Sequence, residues 1–142
     1  MDHQFRSSSF AFTLIGLVLI AVGCEHAGPL ETEPAAPTLT SIQQSTFNVS
    51  CAVSGCHLGG GAAAELDLST GNSFSNLVGV ASGEVPSLLR VEAGNPDDSY
   101  LVRKIEGTPG IVGLQMPRGR DPLSAVQIQA IRDWIEAGAA DD

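Results

Sequence analysis

Hydrophobic positions form one long run near the start of the chain and several short amphipathic segments after it. The run extends from Phe10 to Val22 and follows a polar start whose one positive residue is Arg6. Its thirteen residues suit the apolar region of an export signal and are short for a membrane span. Residues 1–24 are therefore predicted to be an export signal, with an uncleaved membrane anchor as the alternative.

A polar stretch separates this signal from the rest of the chain. Residues 25–38 contain three prolines and three glutamates and offer little to bury. Such a composition predicts a disordered tether. Residues 39–142 then have the length and the apolar content of one folded domain.

The first half of this domain carries two helical signals. Thr40 or Ser41 is a candidate cap for a helix that leads to Cys51. Between residues 58 and 72 the chain is rich in Gly and Ala, which predicts a loop. A short helix is expected near residues 73–79.

The second half carries the two clearer helices. The segment from Asn95 to Ser99 is a turn that also provides a cap, and the helix it opens ends at Gly107 with Lys104 expected on its solvated face. A non-helical Gly- and Pro-rich loop follows. Ser124 and Gln127 then form the capping box of a last helix. One apolar face of that helix is predicted to enter the core, through Ile128, Ile131, Trp134 and Ile135.

Net charge argues against two classes of partner. The formal charge is −9, which argues against binding of nucleic acid and against electrostatic docking onto anionic lipid. It permits a protein partner with a basic patch. Aromatic residues are few, so a domain of this size has a thin core of its own.

The candidate chemistry begins at Cys51, Cys56 and His57. A histidine directly after the second cysteine of a close pair is typical of a covalently attached c-type haem, because the imidazole then lies beneath the iron. Four residues separate these cysteines where the usual motif has two, and Gly55 would let the extra residues bulge away. A Cys51–Cys56 disulfide and a zinc module are the alternatives.

Met116 is the candidate second ligand to such an iron. It is the only methionine after the signal segment, and it lies in the Gly- and Pro-rich loop before the last helix. A thioether is a common axial ligand opposite histidine in electron-transfer haems, and Pro117 fixes the backbone beside it. If Met116 is a loop residue without this role, an open iron position would favour a sensor or an enzyme.

Cys24 is the third cysteine and lies outside the close pair of Cys51 and Cys56. The segment Ala21-Val22-Gly23-Cys24 resembles the lipobox of bacterial lipoproteins. This resemblance implies that Cys24 is lipidated, that the lipid anchors the chain in a membrane, and that the protein is an exported periplasmic or cell-surface lipoprotein. An ordinary cleaved signal that releases a soluble protein is the alternative.

Several segments together resemble the class I cytochrome c family, and more closely the c-type domains in exported proteins of myxobacteria and planctomycetes. The matching segments are Cys51 to His57, Gly94 to Leu101, Met116-Pro117 and Ile131 to Ala139, within residues 39–140. The resemblance implies an all-α, cytochrome c-like domain of about four to five helices, with the first and last helices crossing beside the haem. It also implies one covalent haem c on Cys51 and Cys56, with His57 as proximal and Met116 as distal ligand.

The function expected from these observations is electron transfer by a lipid-anchored, single-haem carrier that is not itself an enzyme. Its redox partner is expected to dock through a basic patch. Arg118 or Tyr100 is expected to meet the haem propionates. The alternative is a haem-free structural lipoprotein with a Cys51–Cys56 disulfide.

Overall fold

The computed structural model describes residues 36–142, and this part of the chain is helical. It contains four α-helices: α1 (Leu39–Ile42), α2 (Ser73–Leu77), α3 (Tyr100–Glu106) and α4 (Ala125–Glu136). No strand occurs within residues 36–142, which agrees with the predicted all-α class. The predicted export signal, the lipidation site Cys24 and most of the tether lie outside the described residues.

The first helix changes geometry on its way to Cys51. α1 begins after Thr38, whose side chain accepts a hydrogen bond from the backbone of Ser41, so the cap lies earlier than predicted. From Gln43 to Cys51 the chain continues as a π-helix. At its end the backbone N–H of Ala52 donates to the carbonyl of Phe47, five residues back, at 2.7 Å. The predicted helix therefore reaches Cys51, but in a wider form that is often found at functional sites.

The end of α3 and the start of α4 confirm capping signals in the sequence, whereas at the start of α3 no side chain makes the predicted capping hydrogen bond. α3 ends at Gly107, which adopts the left-handed conformation with φ of 70° that glycine tolerates. In α4 the Ser124 side chain accepts from the backbone of Gln127, and the Gln127 side chain accepts from the backbone of Ser124. Both halves of the predicted capping box are thus present.

Helix packing places the core between α4 and the rest of the domain. Both α1 and α3 contact α4. The largest buried side chains include Phe47, which is 0% exposed, and Trp134, which is 1% exposed. Burying apolar side chains of this size stabilises the fold by about 2–3 kcal/mol each. The predicted stripe on α4 is confirmed, since Ile131, Trp134 and Ile135 are buried and Ile128 packs against them.

The segment between α2 and α3 contains structure that the sequence did not reveal. Two isolated backbone bridges join Val78 to Val91 in parallel and Ala81 to Leu89 in antiparallel fashion. Between Ala81 and Leu89 the chain makes a turn that contains Glu84. No hydrophobic periodicity marks such short pairings, because each needs only one or two residues.

This turn explains why the prediction for Lys104 was wrong. Lys104 is 8% exposed, not solvated. Its ammonium contacts the carboxylate of Glu84 at 3.1 Å and donates to the carbonyl of Val112 at 2.8 Å. These two oxygens stabilise the Lys104 ammonium, which loses most of its hydration when the side chain is buried.

Within residues 36–142, every helix is too short or too polar to cross a membrane.

Candidate cofactor site

A tight loop brings Cys56 and His57 back toward Cys51. The backbone N–H of Cys56 donates to the carbonyl of Val53 at 2.9 Å, and that of His57 donates to the carbonyl of Cys51 at 3.1 Å. Gly55 has φ of 79°, a conformation that residues with a Cβ rarely adopt. The loop thus accommodates the four residues between the cysteines.

Both cysteines in this loop are free thiols and half-buried. Burial, together with a smaller effect of Cys56, raises the pKa of Cys51 to about 11, while Arg120 acts in the opposite direction. Cys51 is therefore a protonated thiol at neutral pH.

The imidazole of His57 is oriented by two backbone carbonyls. Its Nδ1 lies 3.1 Å from the carbonyl oxygen of Ala63 and 3.2 Å from that of Leu66. Because carbonyl oxygens only accept hydrogen bonds, this network assigns the proton to Nδ1. In the neutral ring Nε2 then keeps its lone pair, and nothing in the described part of the chain hydrogen-bonds to it. A histidine held in this way can offer Nε2 to a metal ion.

Asp67 organises the loop that supplies those carbonyls. Its carboxylate accepts hydrogen bonds from the backbone N–H groups of Gly59 and Ser69, both at 2.9 Å, and from the side chain of Asn72. Hydrogen bonds from Ser69, followed by that from Gly59, lower the pKa of Asp67 to about 2. Asp67 with Ser69 two residues later is an Asx-turn signal, from which this role of Asp67 can be predicted in the sequence.

The loop that carries Met116 is fastened to α3. The backbone N–H of Met116 donates to the carbonyl of Lys104 at 2.8 Å. Further back, the N–H of Val112 donates to the Tyr100 hydroxyl at 3.0 Å, and the Val112 carbonyl accepts from Lys104. The segment from Val112 to Met116 is therefore hydrogen-bonded to α3 at both ends, and Met116 is half-buried.

A partly buried polar cluster of Tyr100, Lys104 and the more exposed Glu84 holds the same loop. The Tyr100 hydroxyl donates to Glu84 at 2.7 Å, beside the Lys104 ammonium. Burial favours the neutral acid, but hydrogen bonds from Tyr100 and Lys104, the Lys104 charge and a smaller effect of His57 hold the pKa of Glu84 below its usual value. Burial and the carboxylate raise the pKa of Tyr100. The Tyr100 hydroxyl already has two partners, so the expectation that it meets a propionate is not supported.

An open groove lies between the end of the π-helix and the segment after Met116. It encloses about 720 Å³ and is lined by Val49, Ser50, Pro117, Gly119, Arg120 and Asp121. The guanidinium of Arg120 donates to the Val49 carbonyl across it, at 3.3 Å. The groove therefore joins the residues just before Cys51 to the residues just after Met116. Arg118, also expected near a propionate, is exposed beside it.

Apolar side chains are exposed next to all the candidate ligands. Val49 is 57% exposed, Leu58 is 48% exposed and Leu114 is 64% exposed. These residues lie within two positions of Cys51, His57 and Met116 respectively. Each candidate ligand therefore has an exposed apolar neighbour along the chain.

The cysteines and His57 do not form a compact ligand set. Residues 36–142 contain no group of three His, Cys, Asp or Glu side chains close enough to hold one metal ion. A zinc module would need such a group. Haem attachment does not, because the thiols bond to the edge of the ring and only His57 and Met116 would meet the iron.

Replacing Asp67 should change how stability depends on pH. Since its folded pKa is about 2, below the ordinary 3.8, the carboxylate stabilises the fold above that ordinary value and loses this effect as pH falls through about 2. Asp67→Asn should therefore show a smaller loss of unfolding free energy between about pH 5 and pH 2 than the unaltered chain. Urea unfolding at several pH values measures this. Asp121→Asn is the control, and an equal effect there would contradict the assignment.

Removing the Lys104 ammonium should loosen the Met116 loop. Lys104→Met should lower the unfolding free energy by about 2 kcal/mol, because a largely buried ammonium loses its two charge-assisted contacts, to Glu84 and to the Val112 carbonyl. The neighbouring Arg103→Met breaks an exposed ion pair and should cost less than about 1 kcal/mol. Urea unfolding compares the two, and limited proteolysis within residues 107–120 reports the loop. Equal costs and equal cleavage would contradict the buried role of Lys104.

No protein-family model, no curated protein and no solved structure matches this chain. The function proposed below therefore depends on this chain's own residues: two free thiols, the oriented imidazole of His57 and the fastened loop of Met116.

Proposed function

We propose that this chain is a single-haem c-type cytochrome that transfers electrons and carries out no catalysis of its own. One observation carries the proposal: directly after two free thiols, His57 has its Nδ1 fixed by two carbonyls and its Nε2 free. That is the tautomer that a proximal iron ligand requires, with its other nitrogen held by hydrogen bonds.

The residues present fit a covalent haem. Cys51 and Cys56 supply two sulfurs, and the loop between them leaves both unbonded. The exposed apolar side chains of Val49, Leu58 and Leu114 would be covered by an apolar ring. A haem would also add apolar volume to a domain with one Trp and one Tyr.

Each ligand has a distinct role in this proposal. Haem would supply an iron that exchanges single electrons with a partner. His57 would hold it through Nε2 while the Ala63 and Leu66 carbonyls keep the imidazole in place. Met116 would hold it through a thioether from a loop fastened to α3, and a sulfur ligand together with burial would raise the midpoint potential. Two protein ligands would leave no position for a substrate.

The proposal includes a cytochrome c-like arrangement of the helices. A cytochrome c-like domain has its first and last helices packed together beside the haem, and α1 contacts α4 in this chain. Cys51 follows directly from the first helical segment, and the Met116 loop leads into α4. We also propose that lipid on Cys24 anchors the exported protein in a bacterial membrane.

Charge supports a partner with a basic docking patch. The chain has a net charge of −9, and three of its cationic side chains are already paired with carboxylates: Arg103, Lys104 and Arg132. The surplus carboxylates would attract a basic partner, with association rates that fall as salt rises.

One observation favours a second candidate, a haem-free lipoprotein with a Cys51–Cys56 disulfide. Both cysteines are free thiols at the two ends of one short loop, which the hydrogen bond from the His57 N–H to the Cys51 carbonyl closes at 3.1 Å. In an oxidising compartment such a pair can form a disulfide. The experiment that tests the cytochrome must therefore distinguish a haem adduct from the loss of two hydrogens.

Intact mass and the reduced absorption spectrum make this distinction. The chain exported in a host with haem-attachment machinery should gain the mass of one haem and show sharp reduced bands. The control is a variant that lacks two of the four residues between the cysteines and so restores the usual spacing. A colourless protein lighter by two hydrogens, from a host in which the control is haem-loaded, would overturn the proposal in favour of the disulfide.

Replacing Met116 tests the second ligand. Met116→Leu should keep the covalent haem but abolish the near-infrared band of sulfur-ligated ferric haem. Its midpoint potential should fall by part of the roughly 0.8 V range that axial ligands span. Leu114→Met at the neighbouring exposed position is the control and should leave both unchanged. If Met116→Leu retains the band, Met116 is not the ligand, and a sensor or enzyme with an open iron position becomes the better interpretation.

A further inference from the structure

The loop that holds His57 contains two residues in an unfavourable backbone conformation. Ala64 has φ of 54° and Glu65 has φ of 53°, and both carry a Cβ. Left-handed angles are rare for such residues, and two in succession are rarer still. The residues on either side, Ala63 and Leu66, supply the two carbonyls that contact Nδ1 of His57. The unfavourable backbone thus lies between the two contacts that orient the imidazole.

Arg90 contacts this loop from a distant part of the chain. Its Nη2 donates to the carbonyl of Ala64 at 3.1 Å, while its Nη1 donates to the carbonyl of Asn76, at the end of α2, at 3.0 Å. One guanidinium therefore ties the His57 loop to α2. The planar fork of arginine can bind two carbonyls at once with little loss of freedom, which the single ammonium of lysine cannot reproduce.

The backbone of Arg90 is itself fixed on both sides. Its N–H donates to the carbonyl of Val80 at 2.7 Å, and its carbonyl accepts from the N–H of Leu101 in α3 at 2.9 Å. The next residue, Val91, is fully buried in the core. Because its backbone is anchored to the core, the Arg90 side chain holds the exposed His57 loop in a fixed position relative to the core.

We infer that Arg90 is a positioning residue for His57: by binding the Ala64 carbonyl it maintains the left-handed turn that aims the Ala63 and Leu66 carbonyls at Nδ1. Without this contact the loop relaxes toward ordinary backbone angles, and one or both carbonyls move away from the ring. The ring then rotates more freely, and the proton is no longer confined to Nδ1. The consequence for an iron ligand rests on the proposed function, whereas the effect on the imidazole does not.

The direct measurement is the exchange of the His57 Nδ1 proton with solvent, followed by NMR on the full chain. It can be read on the haem-free chain and on a reduced, diamagnetic haem protein alike. Arg90→Gln should speed this exchange by about tenfold, as expected for the loss of charge-assisted hydrogen bonds. The control is Arg103→Gln, since Arg103 also donates to a backbone carbonyl, that of Asp97, but contacts no part of the His57 loop.

A second measurement separates positioning from general stability. Amide exchange in α4 reports opening of the whole domain. If Arg90 only stabilised the fold, Arg90→Gln would speed exchange in α4 and at His57 to the same extent, and this result would overturn the inference. Equal Nδ1 exchange in the Arg90→Gln and Arg103→Gln variants would also overturn it.

Glycine at position 64 tests the part played by the backbone. Ala64→Gly accepts a positive φ without a steric cost, so the turn needs less support from Arg90. In the Arg90→Gln background this change should restore slow exchange at His57 at least in part, and no restoration would contradict the role of the left-handed turn. If Arg90→Gln does not fold, Arg90→Lys is compared with Arg103→Lys. The Arg90 variant should exchange faster, and equality would overturn the inference.

These results are independent of haem loading. Absence of a haem adduct would end the proposed function but leave the His57 exchange data interpretable on the haem-free chain. If haem is attached, Arg90→Gln should in addition shift the midpoint potential, because a less strongly hydrogen-bonded imidazole is a weaker donor to iron.

Discussion

The packing of the first and last helices against each other is the constraint on which the candidate site depends. Phe47 and Trp134 are almost completely buried in the one core of the described domain. This burial fixes the end of the π-helix, and therefore Cys51, relative to the start of α4. The Met116 loop spans the distance from α3 to α4, so the same packing fixes both of its ends.

The two halves of the site are held by different physical means. His57 is oriented by backbone carbonyls from an exposed loop, which Asp67 and Arg90 secure through hydrogen bonds. The Met116 loop is held by Lys104, a side chain that the core has largely removed from water. The first arrangement is sensitive to local geometry, and the second is sensitive to any change that leaves a buried charge without its partner.

Irregular backbone is concentrated where the candidate ligands lie. The π-helix ends at Cys51, the enlarged loop between the cysteines follows at once, and the left-handed pair at Ala64 and Glu65 comes next. Each is less favourable than a regular helix or turn and is retained only because surrounding contacts maintain it. Local rules are expected to fail at functional sites, where geometry serves chemistry at some cost in stability.

The sequence by itself determined the elements whose signals are local. The capping box at Ser124, the apolar stripe of α4 and the stop at Gly107 all depend on residues within one or two helical turns, so their spacing was sufficient. The tertiary structure decided what depends on residues far apart in the chain. The pairing of Glu84 with Lys104 and the reach of Arg90 to Ala64 join segments about 20 residues or more apart, and no short-range pattern records such contacts. It also decided the π-helical form of the first helix, because the hydrophobic period of a short segment does not distinguish a four-residue from a five-residue hydrogen bond.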